Sequence, residues 1–342
     1  MFADFFLHAP RGRRIFAWLG AVGLAIMSVA RAAIQRALVA WYGEIYTFLQ
    51  HARANEGGEA SLDALFAAFA RLALPWALLI PLASLLRRFW CFEWRMALVD
   101  AYVRRWASRG SGAPEGASQR VQEDTQRFAR GVELFAGQVL DAVLTLVIFV
   151  PSLLELGAAF PPPGSAGGGH SAGWLLALTA ALALLGLCVS VAVAWRLVGL
   201  DVRNQRVEAG LRKRLVAYED APPREVERRA AAGDRLDELV ATLRQNYAAL
   251  YRNMLGIDGW IAVFEQSVVV VPLVLCAPRL LDPSLDLTLG QLVQLLAVFQ
   301  RVFDSLNLPA HNWSAINDFA ATVVRLVEFE RSVGEAKASE LV

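Results

Sequence analysis

GWLLALTAALALLGLCVSVAVAW, residues 173–195, runs for 23 positions without a charged side chain. Crossing a hydrocarbon core of about 30 Å takes about 20 apolar residues of helix. This stretch therefore predicts a transmembrane helix. Outward from it, further apolar runs lie at about 15–30, 62–86 (with Arg71), 131–160 (with Glu133, Asp141 and Glu155), 254–277 (with Asp258 and Glu265) and 287–308. The first continues through 32–49, where Trp41, Tyr42 and Tyr46 suggest an interfacial aromatic belt.

Composition agrees. The 342 residues are 56% hydrophobic before 25 glycines are counted, and only 19% are charged; mean hydropathy is +0.41. That much apolar side chain excludes a disordered chain. It argues against a water-soluble domain, which would expose large apolar patches. The net charge of +1 points to neither nucleic acid nor an acidic partner. Cys91, Cys188 and Cys276 lie far apart without a Cys-x-x-Cys, so buried structural thiols are expected rather than a metal site or disulfide framework.

Basic residues set the orientation. Three precede the first span (Arg11, Arg13, Arg14), nine lie in 87–130 and twelve in 196–253, against one in the first loop (Arg53), none in the third and one in the fifth (Arg279). Six crossings with both termini cytoplasmic satisfy every loop. A cleaved leader ending near Ala30 would leave five spans and upset this alternation, so an uncleaved first helix is expected. Pro161–Gly169 reads as an exterior connection, and 203–217 and 225–251 as helices reaching into the cytoplasm around Pro222 and Pro223.

Enzyme motifs are weak. The two lysines, Lys213 and Lys337, follow Arg212 and Ala336, so no Walker A loop exists in this chain and no nucleotide-binding domain is expected in it. Gly169-His170-Ser171-Ala172-Gly173 matches a nucleophile elbow but follows a Pro/Gly run that cannot form the required strand. His8, His51, His170 and His311 are scattered; neither metal nor other cofactor is expected.

Charges inside the spans are costly and normally face protein or a water-filled cavity. Asp258 and Glu265, seven apart, share a helix face. Gln294, Arg301, Ser305 and Asn312 fall within about 40° of one another at 100° per residue, with Asp304 nearby. The stripe is either a cavity wall or the site of a structural Arg301–Asp304 pair. Glu133 is either an interfacial carboxylate or one that a partly dry cavity keeps protonatable near neutral pH. Two stretches, EGASQRVQEDTQRF (115–128) and RNQRVEAGLRKRLVAYED (203–220), are dense in charge and amide. They read as solvated helix faces or as an interhelical network closing one side of a pathway.

Those two stretches resemble signatures of the SbmA/BacA family of bacterial inner-membrane peptide antibiotic transporters. The resemblance extends to AWYGEIYTFLQ (40–50), FEWRMALVDAYVRRW (92–106) and 288–330, including Trp313 and the run from Arg325 to Glu330. It implies an all-α polytopic membrane protein with an ABC-exporter-like transmembrane domain. A single such domain would cover 1–342, with six long helices reaching into the cytoplasm at about 15–49, 62–106, 120–160, 172–215, 236–277 and 287–330. It implies a homodimer in the inner membrane, without nucleotide-binding domains, importing peptides and other bulky compounds such as microcins and glycopeptides with protons.

The matching acidic residues are Glu115, Glu123, Asp124, Glu133, Glu208, Glu219 and Asp220, to which the resemblance assigns proton coupling and gating. The expected cytoplasmic network sets Glu123, Asp124, Glu219 and Asp220 against Arg120, Arg127, Arg206 and Arg214. Asp258, Glu265, Gln294, Arg301 and Asp304 are expected along the cavity. Glu265 stands where the family suggests an aspartate, and long members carry further N-terminal hydrophobic segments. Two alternatives remain: a permease subunit that recruits a separate ATPase, and a membrane sensor or scaffold.

Overall fold

The computed structural model describes residues 1–53, 62–107, 117–162, 173–219, 222, 236–282, 285 and 287–339. The described elements are helical. They are α1 (Phe2–Phe6), α2 (Arg11–Arg53), α3 (Leu62–Ala107), α4 (Ala117–Gln119) with a π-turn at Arg120–Asp124, α5 (Thr125–Ala159), α6 (Trp174–Glu219), α7 (Leu236–Leu280), α8 (Leu289–Leu306), α9 (Leu308–His311) and α10 (Trp313–Ser339). This is an all-α polytopic membrane protein. Among the described residues, five helices are long and apolar enough to cross a bilayer: those starting at Arg11, Leu62, Ala117, Trp174 and Glu238. At 1.5 Å per residue the 46 residues of α3 extend about 70 Å, more than twice the hydrocarbon thickness.

The chain divides into two compact units, 1–183 with 272–342, and 184–271. In the first, α2 packs on α3, α5 and α8, and α5 packs on α3, α8 and α10. Its surface is inverted relative to a soluble protein. Leu74, Leu78, Leu82 and Leu85 on α3, Leu19, Val22, Ile26 and Val29 on α2, and Val139, Val143 and Val147 on α5 are all exposed. They recur every three or four residues, so each forms one stripe along its helix. Such continuous apolar stripes suit contact with lipid. Pro75, Pro81, Pro151, Pro272 and Pro278 lie inside the long helices, a use of proline that membrane helices tolerate.

The α2–α3 pairing gives the register. Trp90 donates its indole N–H to the Ala17 carbonyl at 2.9 Å, Leu86 lies against Gly23, and Trp41 donates to the Leu65 carbonyl at 2.8 Å. The α2 segment level with the uncharged 72–86 run of α3 is therefore about 21–35. Residues 15–20 lie beyond Arg87 and Arg88, with one face on an aromatic cluster.

That cluster, at what we call the near end of the unit, contains Phe5, Phe6, Trp90, Trp94 and Phe128, with Tyr102 and Phe329 stacked edge-on further out. Gly20 gives Trp90 room and Gly131 gives Phe319 room, for a Cβ at either would run into the ring. Full burial of several aromatic side chains stabilises this end by about 2–3 kcal/mol each as an upper estimate.

Three sequence expectations change. The last span, read as one helix over 287–330, is broken at Asn307 and Asn312, which flank the single turn of α9. Pro309 has no N–H to continue the α8 ladder, so the chain restarts there. Trp41 is buried by its bond to α3, leaving Tyr42 and Tyr46 as the exposed aromatics. Cys91 and Cys276 are buried, but Cys188 is exposed on an apolar face of α6, because apolar surroundings in a membrane helix do not require protein cover.

The second unit holds the latter part of α6 and the first part of α7. Tyr247 donates its hydroxyl to the Glu208 carboxylate, and Trp260 stacks on Phe264 with ring centres 5.5 Å apart. Leu239 lies 4.0 Å from where a Gly210 Cβ would stand.

Candidate functional site

The near end of the first unit is a charge lock built by the π-turn. The turn inserts a residue into the helix, an irregularity common at functional sites, and it buries Asp124. Arg325 of α10 grips that carboxylate through Nε at 3.1 Å and Nη2 at 2.9 Å. Arg120 adds Nη1 at 3.3 Å. The fork-on-carboxylate geometry makes strong, directional bonds, and the Asp124 contact holds the Arg325 guanidinium above its usual range.

Next to it Glu123 faces solvent. Hydrogen bonds from Gln119 and then from Arg127 hold its carboxyl below the usual glutamate range. Farther out, Arg13 bridges Glu93 at 3.2 Å and Asp100 at 2.5 Å. Arg105 bonds Asp4 and reaches Glu330 at 3.4 Å, and Glu330 also accepts from the Tyr102 hydroxyl at 3.0 Å. Burial is the main cause raising the Tyr102 phenol, with Glu330 adding to it.

Glu123 pairs with Arg127 and Asp124 with Arg120 inside one helix turn, whereas the sequence set these four residues in a network between helices. The partner from another helix, Arg325, was visible only as part of a family motif. Tertiary contact alone brings it there, 201 positions away.

Deeper in the unit, Arg31 of α2 pairs with Asp141 of α5, two residues level with apolar helix on both sides. An unpaired charge there would be costly. A cavity of about 130 Å³ adjoins them, apolar apart from Ser28, Arg31 and Arg87. The Arg87 guanidinium lies against Gly137, so close that a Cβ there would be 2.5 Å from Nη1. Glu133 is half-buried one turn before Gly137 and 3.7 Å from Arg88 Nε.

The polar stripe of the last span resolves into separate contacts. Arg301 lies 5.6 Å over the ring of Phe149, a cation–π arrangement. Gln300 donates to Asp304 at 2.8 Å, Ser305 to the Arg301 carbonyl at 2.8 Å, and Asn312 to the Leu308 carbonyl at 3.0 Å.

Gln294 of that stripe lines a pocket. At the far end of the unit, opposite the charge lock, it joins Ala40, Gly43, Glu44, Thr47, Phe48, His51, Leu65, Thr288 and Gln291 around a cavity of about 670 Å³. Gly290 lies directly on the Gly43 carbonyl and Thr47 hydroxyl, with no room for a Cβ. Small residues at such crossings let membrane helices approach closely. Thr288 and Gln291 form a capping box at the start of α8, and the Thr47 and Thr288 hydroxyls bond at 3.0 Å. Sequence reading passed over Glu44, Thr47 and His51, although i, i+3, i+7 spacing on α2 was a legible sign of a shared face.

In the second unit, Glu208 accepts from Tyr247, while Glu219, Asp258 and Glu265 are exposed. Glu115 and Asp220 lie outside the described residues, as do the side chains of Arg206 and Arg214.

A family model described as the SbmA/BacA-like family matches residues 10–334. The chain is 26% identical over 224 residues to a protein of Synechocystis sp. named uncharacterized ABC transporter ATP-binding protein sll0182, covering 64% of this chain and 31% of that protein. It is 22% identical over 251 residues to the inner membrane ABC transporter ATP-binding protein YddA of Escherichia coli, covering 70% of this chain and 44% of the relative. The chain thus spans less than half the length of either curated relative.

Proposed function

The chain belongs to the SbmA/BacA-like family, and from that premise we propose that it is a proton-driven importer of peptides and other bulky hydrophilic compounds. It would act as a homodimer in the bacterial inner membrane, with the near end and both termini cytoplasmic. The observation that carries this reading is the charge lock, in which Asp124 joins α10 to α5 through Arg325.

A carrier needs a closure that a proton can bias, and a carboxylate between two guanidiniums is one. Protonation removes the charge that holds both, so Asp124, with Glu133, Glu208 and Glu219, is a candidate coupling group, and Glu123 a candidate gate charge. Glu115 and Asp220 belong to the same proposal, as do the facing cations Arg206 and Arg214. Asp258, Glu265, Arg301 and Asp304 are proposed along the pathway.

The test is uptake of a labelled peptide into proteoliposomes under an imposed pH gradient without ATP. Uptake that needs the gradient and stops with an ionophore supports the reading. Glu133→Gln and Glu219→Gln are each expected to abolish uptake without loss of expression, and normal uptake by both would sink the coupling assignment.

A second reading rests on the names of the two relatives, both ATP-binding proteins of ABC transporters with more than half their length outside the match. In it, the chain is a permease subunit and an ATPase docks on its cytoplasmic side, at 107–119 and 218–227. Gradient-independent uptake that appears only with a co-purifying ATPase would favour it.

A further inference from the structure

The far-end pocket has the size of a ligand site. Its volume of about 670 Å³ falls inside the range of roughly 300–1,000 Å³ found for small-molecule pockets. Its wall also has a definite chemical sign. Glu44 is the one carboxylate among the described lining residues, which include no lysine or arginine and one histidine, His51. The near end and the 130 Å³ cavity are both rich in guanidinium, so this sign is local.

The remaining polar groups suit an amide chain. Thr288 N–H is already taken by Gln291 Oε1 at 2.9 Å, and the Gln291 N–H by Thr288 Oγ1 at 3.2 Å. What Gln291 offers a ligand is therefore its Nε2 donor. Gln294 carries both a donor and an acceptor one turn further along α8, with its Oε1 3.2 Å from where a Gly43 Cβ would stand. A glycine at 43 keeps that amide in place; any larger residue would push it. A carboxylate beside two amides and two hydroxyls complements a positively charged group carried on a peptide backbone.

We propose that this pocket selects a cationic side chain or terminal ammonium of the transported peptide, with Glu44 taking the charge and Gln291 and Gln294 the adjoining backbone. The proposal rests on the transport reading for its biological sense, but binding tests it separately. A charge-assisted hydrogen bond at Glu44 is expected to give a preference of about tenfold.

The probes are a fluorescent heptapeptide with two lysines and its counterpart with two glutamines. Fluorescence anisotropy on the detergent-purified full chain gives their affinity ratio, and proteoliposome uptake gives their transport ratio. The wild type should favour the lysine peptide about tenfold in binding, E44Q should bring the ratio to about one, and E44D should restore most of it. Raising salt should shrink the wild-type ratio, since screening weakens an accessible charge contact. A wild-type ratio near one, or a tenfold ratio that survives in E44Q, overturns the proposal. If neither peptide is transported but the binding ratio depends on residue 44 as stated, the selective pocket stands and the import reading fails.

Discussion

The two ends of the first unit are held together by different physics. At the near end, Asp124, Arg325, Arg120, Arg13 and Arg105 form directional charged bonds around a cluster of buried aromatic rings. At the far end, α2 and α8 meet at Gly43 and Gly290, with backbone against backbone and a threonine pair beside them. Charged bonds can be switched by a proton; a glycine contact cannot. A glycine contact instead fixes the wall of a pocket without filling it. Gating is accordingly proposed for the near end and ligand binding for the far end.

Breaking the far end should have the largest effect. Gly290→Leu places a side chain where the Gly43 carbonyl and Thr47 hydroxyl now sit, so α8 must leave α2. We expect a loss of about 3 kcal/mol, lowering the unfolding temperature in detergent by roughly 6–12 °C. Gly23→Ala, where a Cβ would meet Leu86 at 3.4 Å, should leave it unchanged within a degree or two. Equal effects at the two positions would show that the close approach is not what holds this end.

Breaking the near end comes second. Asp124→Asn removes the charge facing two guanidiniums. Loss of one partner of a buried pair costs about 3–5 kcal/mol. Arg325 and Arg120 are about a third exposed here, at 32% and 31%, so water screens them and about 2 kcal/mol is expected. Chemical denaturation should show the loss, and protease cleavage should increase near α10. An unchanged midpoint would mean that the aromatic cluster alone holds this end.

The smallest effect sharpens the assignment of roles within the lock. Glu123 has its carboxyl lowered in the folded state by Gln119 and Arg127. Such a group keeps its bonds above the unfolded value of about 4.3 and loses them only as pH falls through the lower folded value. Carboxyl NMR should find Glu123 ionised throughout the neutral range, with Arg127→Gln moving it back toward the ordinary value. Within the proposed cycle this makes Glu123 a standing gate charge and leaves proton exchange to other carboxylates. A Glu123 that titrates near neutrality would reverse that division.

Much of the fold was legible because a bilayer asks a simple question of each segment. Length and lack of charge located 173–195, and α6 covers it. The local pairs were legible too: Glu123 with Arg127 and Arg120 with Asp124 are four apart, one helical turn. Arg31 with Asp141 and Arg325 with Asp124 were not, since nothing in either residue's neighbourhood names a partner on another helix. The register of α2 was not legible for a related reason. Residues 15–30 are as apolar as a span, and only the contact of Ala17 with Trp90 shows which part of α2 stands level with the uncharged run of α3.

The sequence by itself determined that this is a helical membrane protein, because hydropathy and helical period depend on each segment alone. Tertiary structure decided the rest: the slide of α2 along α3, the break of the last span at Asn307, the partner of Asp124, and the pocket around Glu44. Each depends on which faces of distant helices meet. A stripe of alanine, glycine and leucine accepts several neighbours at similar energy, and packing of the whole unit selects one.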